Sequence, residues 1–127
     1  MDEEAELLLE RSHARLEAAR HLMAGGHWSD AISRAYYAMF FAARALLIAK
    51  GVEVRTHAGL AGKLYELYVR DGTLERADAA LLPAAMAARN EADYGFPASA
   101  TESQARETIL DAERFLARAG EILAQSG

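Results

Sequence analysis

The stretch SDAISRAYYAMFFAARALLIAK (Ser29–Lys50) decides the fold, because it is apolar on every helical face. A helix with this pattern lies at the centre of a helical domain and is packed on several sides. Arg34 and Arg44 interrupt the stretch, and both fall in one helical row with Tyr37. A desolvated guanidinium without a partner costs several kcal/mol. We therefore expect an anionic group elsewhere in the chain, or a ligand, to face Arg34.

The other segments of the chain also repeat their apolar residues at helical spacing, and none alternates as a strand would. Three of these segments share a 4-3 spacing, which favours near-antiparallel packing with short connections. No repeat and no linker divides the chain. The sequence predicts an all-α fold, an up-and-down antiparallel bundle of four long helices plus a short fifth, in a single domain of residues 1–127.

Capping residues and helix breakers indicate where the helices begin and end. Ser29 or Asp30 is the expected N-cap of the central helix, and Thr56 is the expected N-cap of the third. Pro83 removes a backbone donor, so we expect a kink or a break in the fourth helix at that residue. Two overlapping capping boxes precede the last helix: Ser99 with Glu102, and Thr101 with Gln104.

The composition limits the functions that are open to the chain. Its 127 residues have a formal net charge of -5 and include no cysteine. These values exclude a disulfide framework and a thiol nucleophile, and they argue against coating duplex nucleic acid by bulk charge. No histidines have metal-ligand spacing, so we expect no metal and no cofactor. The acidic N-terminus and the interrupted apolar stretch argue against a leader and a membrane span, which predicts a cytoplasmic protein.

Two charged residues, Arg89 and Asp93, lie in the core row of the fourth helix, at positions where the spacing predicts leucines. One interpretation is a buried Arg34–Asp93 bridge that fixes the register of two helices. The other is that two arginines and a tyrosine converge on a phosphate-sized anion, which a planar guanidinium suits. His57, in the first turn of the third helix, could also contribute to binding. The candidate cluster comprises Arg34, Tyr37, Arg44, Arg89, Asp93 and Tyr94.

Three motifs resemble the HEPN domain (higher eukaryotes and prokaryotes nucleotide-binding). They are SRAYYAMFFAARALL (Ser33–Leu47), THAGL (Thr56–Leu60) and RNEADYG (Arg89–Gly95), in the order found in the small stand-alone prokaryotic branch. The resemblance implies a helical bundle that usually forms a homodimer. It also implies a gene often found beside a minimal nucleotidyltransferase, in toxin–antitoxin-like pairs. Many HEPN proteins are metal-independent RNases with an arginine that is followed, after four to six residues, by a histidine.

Arg89 matches that arginine, but Tyr94, Gly95 and Phe96 stand where the histidine should be. The missing histidine favours a non-catalytic component that binds a nucleotide, RNA or a protein partner, and leans against an enzyme. One alternative is a metal-independent RNase with a rearranged site, in which His57 supplies acid–base chemistry beside Arg89. Another is a purely structural helical dimer. In some HEPN pairs the nucleotidyltransferase modifies a tyrosine near this motif, and the resemblance points to Tyr94.

Overall fold

The computed structural model describes residues 2–95 and 100–125. All of the regular structure in these ranges is helical, which confirms the predicted all-α class. The elements are α1 (Glu3–Ala24), α2 (Trp28–Ile48), α3 (His57–Leu64), a π-helical turn (Tyr65–Val69), α4 (Arg76–Ala79), α5 (Leu81–Tyr94) and α6 (Glu102–Gln125). The arrangement differs in detail from four long helices plus a short fifth. Helices α1, α2 and α6 have 22, 21 and 24 residues, whereas α5 has 14 and shorter elements precede it.

Helix α2 is the central element, as the sequence predicts. It packs against α1, α5 and α6, and 11 of its residues are buried. Alanines with no exposed surface recur along one of its rows, where they let a neighbouring backbone approach closely: Ala31, Ala35, Ala38, Ala42 and Ala45. We refer to these five residues as the alanine row. Side chains of this size allow the helices around α2 to pack close to its backbone.

By length and composition, α2 is the one helix in the described ranges that could cross a membrane, and its two arginines do not remove it from that class. Of its most apolar window, 61% is buried inside the bundle. A helix at the centre of a bundle is expected to be apolar all round. Packing within the protein therefore accounts for the apolar character of α2.

The predicted caps are present at two of the helix starts. Thr56 Oγ1 accepts a hydrogen bond from Gly59 N at 3.2 Å and begins α3. Thr101 and Gln104 form a reciprocal capping box, with N–O distances of 2.9 and 3.1 Å. Ser99, the first residue of the other predicted box, lies outside the described residues.

Helix α2 begins at Trp28, so the prediction of Ser29 or Asp30 as its N-cap is wrong. Gly26 has a φ of 81° and completes the turn out of α1 within very few residues. The carbonyl of His27 can then accept the first helical hydrogen bond of α2. Asp30 lies in the first turn instead, where its negative charge suits the positive end of the helix dipole.

The predicted break at Pro83 occurs earlier, at Ala80, which separates α4 from α5. Pro83 is the third residue of α5 and lies in its first turn. Backbone N–H groups in a first turn have no partner within the helix, so a proline there sacrifices no hydrogen bond. The helix consequently continues through Pro83 to Tyr94.

Side-chain contacts anchor the segment between α2 and α5 to the long helices. The Tyr68 hydroxyl donates a hydrogen bond to the carbonyl of Leu46 in α2. From α6, Arg118 Nη2 donates to the carbonyl of Thr73 at 2.8 Å. An ion pair with one buried member, Asp78, joins α6 to α4, with Arg114 Nε 2.7 Å from Asp78 Oδ1. These polar contacts hold the π-helical turn against α2 and join α4 to α6.

Candidate functional site

The guanidinium of Arg89 is the centre of the candidate site. Its carbon Cζ lies 5.3 Å from the centre of the Tyr37 ring and 5.9 Å from the centre of the Tyr36 ring. Both distances are in the range of cation–π attraction, which favours a fixed position for the arginine. Helix α5 supplies Arg89 and α2 supplies both tyrosines. The packing of these two helices therefore holds the arginine in place.

Asp93 is the acidic neighbour of Arg89, one turn further along α5. Arg89 Nε lies 3.1 Å from Asp93 Oδ2, and the two side chains are 19% and 27% exposed. The buried Nε makes no hydrogen bond within the described residues, so the contact is an ion pair without hydrogen-bond geometry. Across the described residues, no hydrogen bond uses this guanidinium. Because Nε is buried beside Asp93, the donors that Arg89 retains for an anionic ligand are its two Nη groups.

His57 contacts the same Tyr36. The Tyr36 hydroxyl lies 3.2 Å from His57 Nδ1, and the two ring centres are 5.9 Å apart. Burial, together with the neighbouring Tyr37, raises the pKa of Tyr36 to about 12 against a lowering influence from Arg89. Burial also lowers the pKa of His57. At neutral pH the Tyr36 phenol is therefore protonated and the His57 imidazole is neutral. Arg89 and His57 both contact Tyr36.

The predicted Arg34–Asp93 bridge is wrong. Arg34 is exposed, and no ion pair in the described ranges joins it to Asp93, which lies beside Arg89 instead. The row of α2 that contains Arg34, Tyr37 and Arg44 lies along an edge of the bundle, where its members are exposed or half-buried. A charged side chain on that row can remain hydrated, so Arg34 needs no buried counterion.

Arg44 belongs to a different group of side chains. Its Nη2 lies 3.0 Å from Glu53 Oε1, and Arg55 Nε approaches the same oxygen at 3.2 Å. The hydrogen bond from Arg44 is the largest cause of a lowered pKa at Glu53. Arg44 also lies 5.8 Å from the ring centre of Phe41. Among residues 2–95 and 100–125 it shares no contact partner with Arg89, so the structure does not bring these two predicted site residues together.

Tyr94 is the last residue of α5 and follows Asp93 directly. It is 75% exposed, so its phenol is accessible to a reagent or to a partner protein. Gly95 ends the helix, and a Cβ at that position would lie 2.4 Å from the carbonyl oxygen of Glu91. Phe96, the third position where the HEPN histidine is expected, lies outside the described residues.

Sequence reasoning missed Tyr36 as a member of the site, because its spacing assigns it to a core row. The residue is indeed 2% exposed, yet its hydroxyl meets His57 and its ring faces Arg89. A buried tyrosine hydroxyl normally has a hydrogen-bond partner. That requirement is the one feature of the sequence that could have pointed to a polar contact at Tyr36. Within the described ranges, no group of three or more histidine or acidic side chains could hold a metal ion. The assembled chemistry is a cation with a carboxylate beside it, a neutral imidazole and two phenols.

A sequence model of the HEPN domain matches residues 5–122 of the chain. The chain belongs to the HEPN family. Arg89, Asp93 and Tyr94 all lie within the matched residues, as do Tyr36, Tyr37 and His57. The family assignment therefore covers the whole candidate site and almost all of the helical bundle.

Several HEPN-sized relatives align with the chain over most of their length. A candidate toxin of Methanocaldococcus jannaschii is 36% identical over 117 residues, which cover 91% of this chain and 86% of the relative. A UPF0332 protein of Archaeoglobus fulgidus is 32% identical, over 92% of this chain and 93% of the relative. A UPF0332 protein of Gloeobacter violaceus is 32% identical, over 98% and 100%. Of these three relatives, the Methanocaldococcus jannaschii protein carries the name of a toxin.

Proposed function

We propose that this HEPN protein is one component of a toxin–antitoxin-like pair and binds a phosphate-bearing ligand, a nucleotide or RNA, through Arg89 without cutting it. The observation that carries the proposal is the state of Arg89. Its guanidinium lies over two tyrosine rings and makes no hydrogen bond within the described residues. Arginine is the residue best suited to a phosphate, because its planar fork donates two parallel hydrogen bonds to one anion.

The surroundings of Arg89 support binding rather than a purely structural role. Asp93 compensates part of the charge while the site is empty, which reduces the cost of keeping a guanidinium half-buried. The rings of Tyr36 and Tyr37 restrict the arginine, so a ligand loses less entropy in ordering it. The formal net charge of -5 means that the overall field of the protein does not attract an anion. The attraction must therefore come from the local arrangement around Arg89.

The protein partner is proposed from the family and from the names of the relatives. We expect a cytoplasmic homodimer that associates with a minimal nucleotidyltransferase. Tyr94 is the acceptor that we propose for modification by that enzyme, since its phenol is 75% exposed and follows the Arg89–Asp93 pair. Co-purification of the chain with the product of an adjacent nucleotidyltransferase gene tests the pairing. Incubating the two with ATP, followed by mass spectrometry, tests Tyr94 against a Tyr94→Phe variant.

Titration of the purified protein with ATP and with a short single-stranded RNA tests the Arg89 site. We expect Arg89→Ala to abolish measurable binding, and Arg89→Lys to weaken it because lysine cannot form the bidentate contact. Arg106→Ala is the matched control, because Arg106 forms an exposed ion pair with Glu102 at the same i, i+4 spacing. Equal affinity in the Arg89 and Arg106 variants, or no binding by the wild type, would overturn the proposed ligand site at Arg89.

A metal-independent RNase is the second candidate function, favoured by the contact of both Arg89 and His57 with Tyr36. A general acid or base must lie within hydrogen-bond reach of the proton that it transfers, directly or through one water. Incubation with total RNA in the presence of a chelator distinguishes this function from binding alone. Cleavage that is lost in both Arg89→Ala and His57→Ala would establish the RNase, and intact RNA would support the binding component.

A further inference from the structure

We propose that Tyr36 is a positioning residue whose hydroxyl holds His57 as the neutral imidazole with its proton on Nε2. This inference deepens the proposed function and rests on it, since it makes His57 a second donor for the ligand that Arg89 binds. It concerns an interaction inside the protein, the hydrogen bond between α2 and the start of α3. The bond can therefore be examined with no ligand present.

The direction of the hydrogen bond follows from the burial of Tyr36. The residue is 2% exposed, so its hydroxyl proton has little access to bulk water. Within the described residues, His57 Nδ1 is the partner of that hydroxyl, at 3.2 Å. If Nδ1 carried a hydrogen, the phenol proton would have no acceptor, and a buried donor without a partner is strongly disfavoured. The phenol therefore donates to Nδ1, and the proton of the neutral ring lies on Nε2.

The protonation states support the same assignment. Burial raises the pKa of Tyr36 to about 12, so its phenol keeps the proton that it donates. Burial lowers the pKa of His57, so its ring is neutral at neutral pH and Nδ1 is free to accept. With Nδ1 occupied, Nε2–H is the remaining donor of the ring.

One side chain thereby positions both donors. The Tyr36 ring lies 5.9 Å from the Arg89 guanidinium carbon, while its hydroxyl orients His57. Tyr36 belongs to the buried face of α2 and packs at 5.1 Å against the Tyr37 ring. Arg89 would supply the positive charge to a phosphate group and His57 a neutral N–H, a combination that adds a hydrogen bond without adding charge.

The tautomer is measured by long-range proton–nitrogen correlation spectra of the ligand-free protein, in which protonated and bare ring nitrogens have distinct shifts. We expect His57 to be the Nε2–H tautomer in the wild type. Tyr36→Phe removes the hydroxyl and keeps the ring, and we expect it to shift His57 to a mixture of tautomers. The proposal is overturned if the wild-type ring is protonated on Nδ1, or if Tyr36→Phe leaves the His57 signals unchanged.

The effect on binding is measured with ATP as the probe. We expect Tyr36→Phe to weaken the affinity about tenfold, which corresponds to the loss of one oriented donor. Tyr68→Phe is the matched control, because that hydroxyl is also buried but donates to the backbone carbonyl of Leu46. We expect the control to bind ATP as the wild type does. Unchanged affinity in Tyr36→Phe, with circular dichroism showing an intact fold, would refute the role in binding.

Two replacements of His57 separate its two nitrogens. The side-chain amide of glutamine in His57→Gln can place a donor near the position of Nε2, whereas asparagine in His57→Asn reaches only the position of Nδ1. We expect the glutamine variant to keep more of the ATP affinity than the asparagine variant. The reverse order contradicts the proposal. Arg89→Ala serves as the reference, because normal binding in that variant would disprove the proposed site itself while leaving the tautomer measurement valid.

Discussion

Arg89 Nε lies 3.1 Å from Asp93 Oδ2, so the cation of the candidate site has an intramolecular anion one turn away. A phosphate that binds to Arg89 meets the field of this carboxylate. We therefore expect Asp93 to lower the affinity of the proposed site while it stabilises the ligand-free state. The balance between these two effects can be measured by removing the charge and keeping the shape.

We expect Asp93→Asn to raise the affinity for ATP by about threefold to tenfold, because it removes one negative charge near the bound anion. Calorimetric titration measures the change, and the gain should shrink at high salt concentration. Glu66→Gln is the control, because this substitution also neutralises the acidic member of an ion pair. The Glu66 carboxylate lies 3.2 Å from Lys63 Nζ. A weaker affinity in Asp93→Asn would mean that the carboxylate orients Arg89 rather than competing with the ligand.

The ion pair between α6 and α4 is expected to contribute to stability through its buried member. The side chain of Asp78 is 8% exposed and that of Arg114 is 58% exposed. Arg114→Ala leaves a buried carboxylate without its partner, which should cost about 1–3 kcal/mol in the free energy of unfolding. Urea denaturation measures this cost. Arg106→Ala, in an exposed pair on the same helix, should change the free energy by less than about 0.5 kcal/mol.

Two glycines of α3 should respond in opposite directions to the same substitution. A Cβ at Gly59 would lie 2.7 Å from Val54 Cγ1 and 2.9 Å from Thr56 Oγ1, so Gly59→Ala should displace the cap that begins the helix beside His57. A Cβ at Gly62 would have no atom within 4 Å. Gly62→Ala should raise stability by up to about 1 kcal/mol through helix propensity.

Thermal denaturation compares the two glycine variants directly. We expect a lower Tm for Gly59→Ala and a higher Tm for Gly62→Ala than for the wild type. If both variants shift Tm in the same direction, the close contact of Gly59 with the loop before α3 does not control the helix start.

His57 should make the stability depend on pH. Burial lowers its pKa in the folded protein below the ordinary value of 6.5. Between these two pKa values the unfolded chain binds more protons than the folded one, so the free energy of unfolding rises with pH through this window. The contribution of His57 is complete above about pH 6.5 and is lost as the pH falls towards its folded pKa.

Denaturant unfolding at pH 7.5 and at pH 5.5 measures this dependence. We expect His57→Gln to lose less stability than the wild type between the two pH values. His13→Gln, a replacement of an exposed histidine on α1, is the control and should follow the wild type. An identical loss of unfolding free energy in the wild type and in His57→Gln would mean that protonation of His57 does not destabilise the folded protein.

The all-α class and the central position of α2 could be predicted because they depend on local patterns. The apolar residues of Ser29–Lys50 follow the helical period, and the Thr101–Gln104 pair forms the capping box that its spacing predicts. The exact position of the break near Pro83 was harder to predict. A proline indicates that a helix start or a kink is close, and the packing of α4 decides between the two.

The candidate site was predicted in part, because pairwise contacts between helices are not encoded in spacing. Arg89 and Asp93 were identified from charges in a core row, and they do lie together. The apolar faces of α2 predict an interior position for Arg34, yet its row lies along an exposed edge of the bundle. The contact of Tyr36 with His57 depends on how the loop after α2 returns, and no local pattern carries that information.

The alanine row of α2 has a consequence for motion within the protein. Its five methyl groups have no exposed surface, and a close-packed interior yields little to displacement, so we expect α2 to move as one body with α1 and α6, the long helices that pack against it. Any hinge displacement would then involve α5 and the segment before it. Arg89 lies on α5 and its two tyrosines lie on α2. An anion bound at Arg89 would therefore favour the packing of α5 against α2, so ligand binding and the movement of α5 would be thermodynamically coupled.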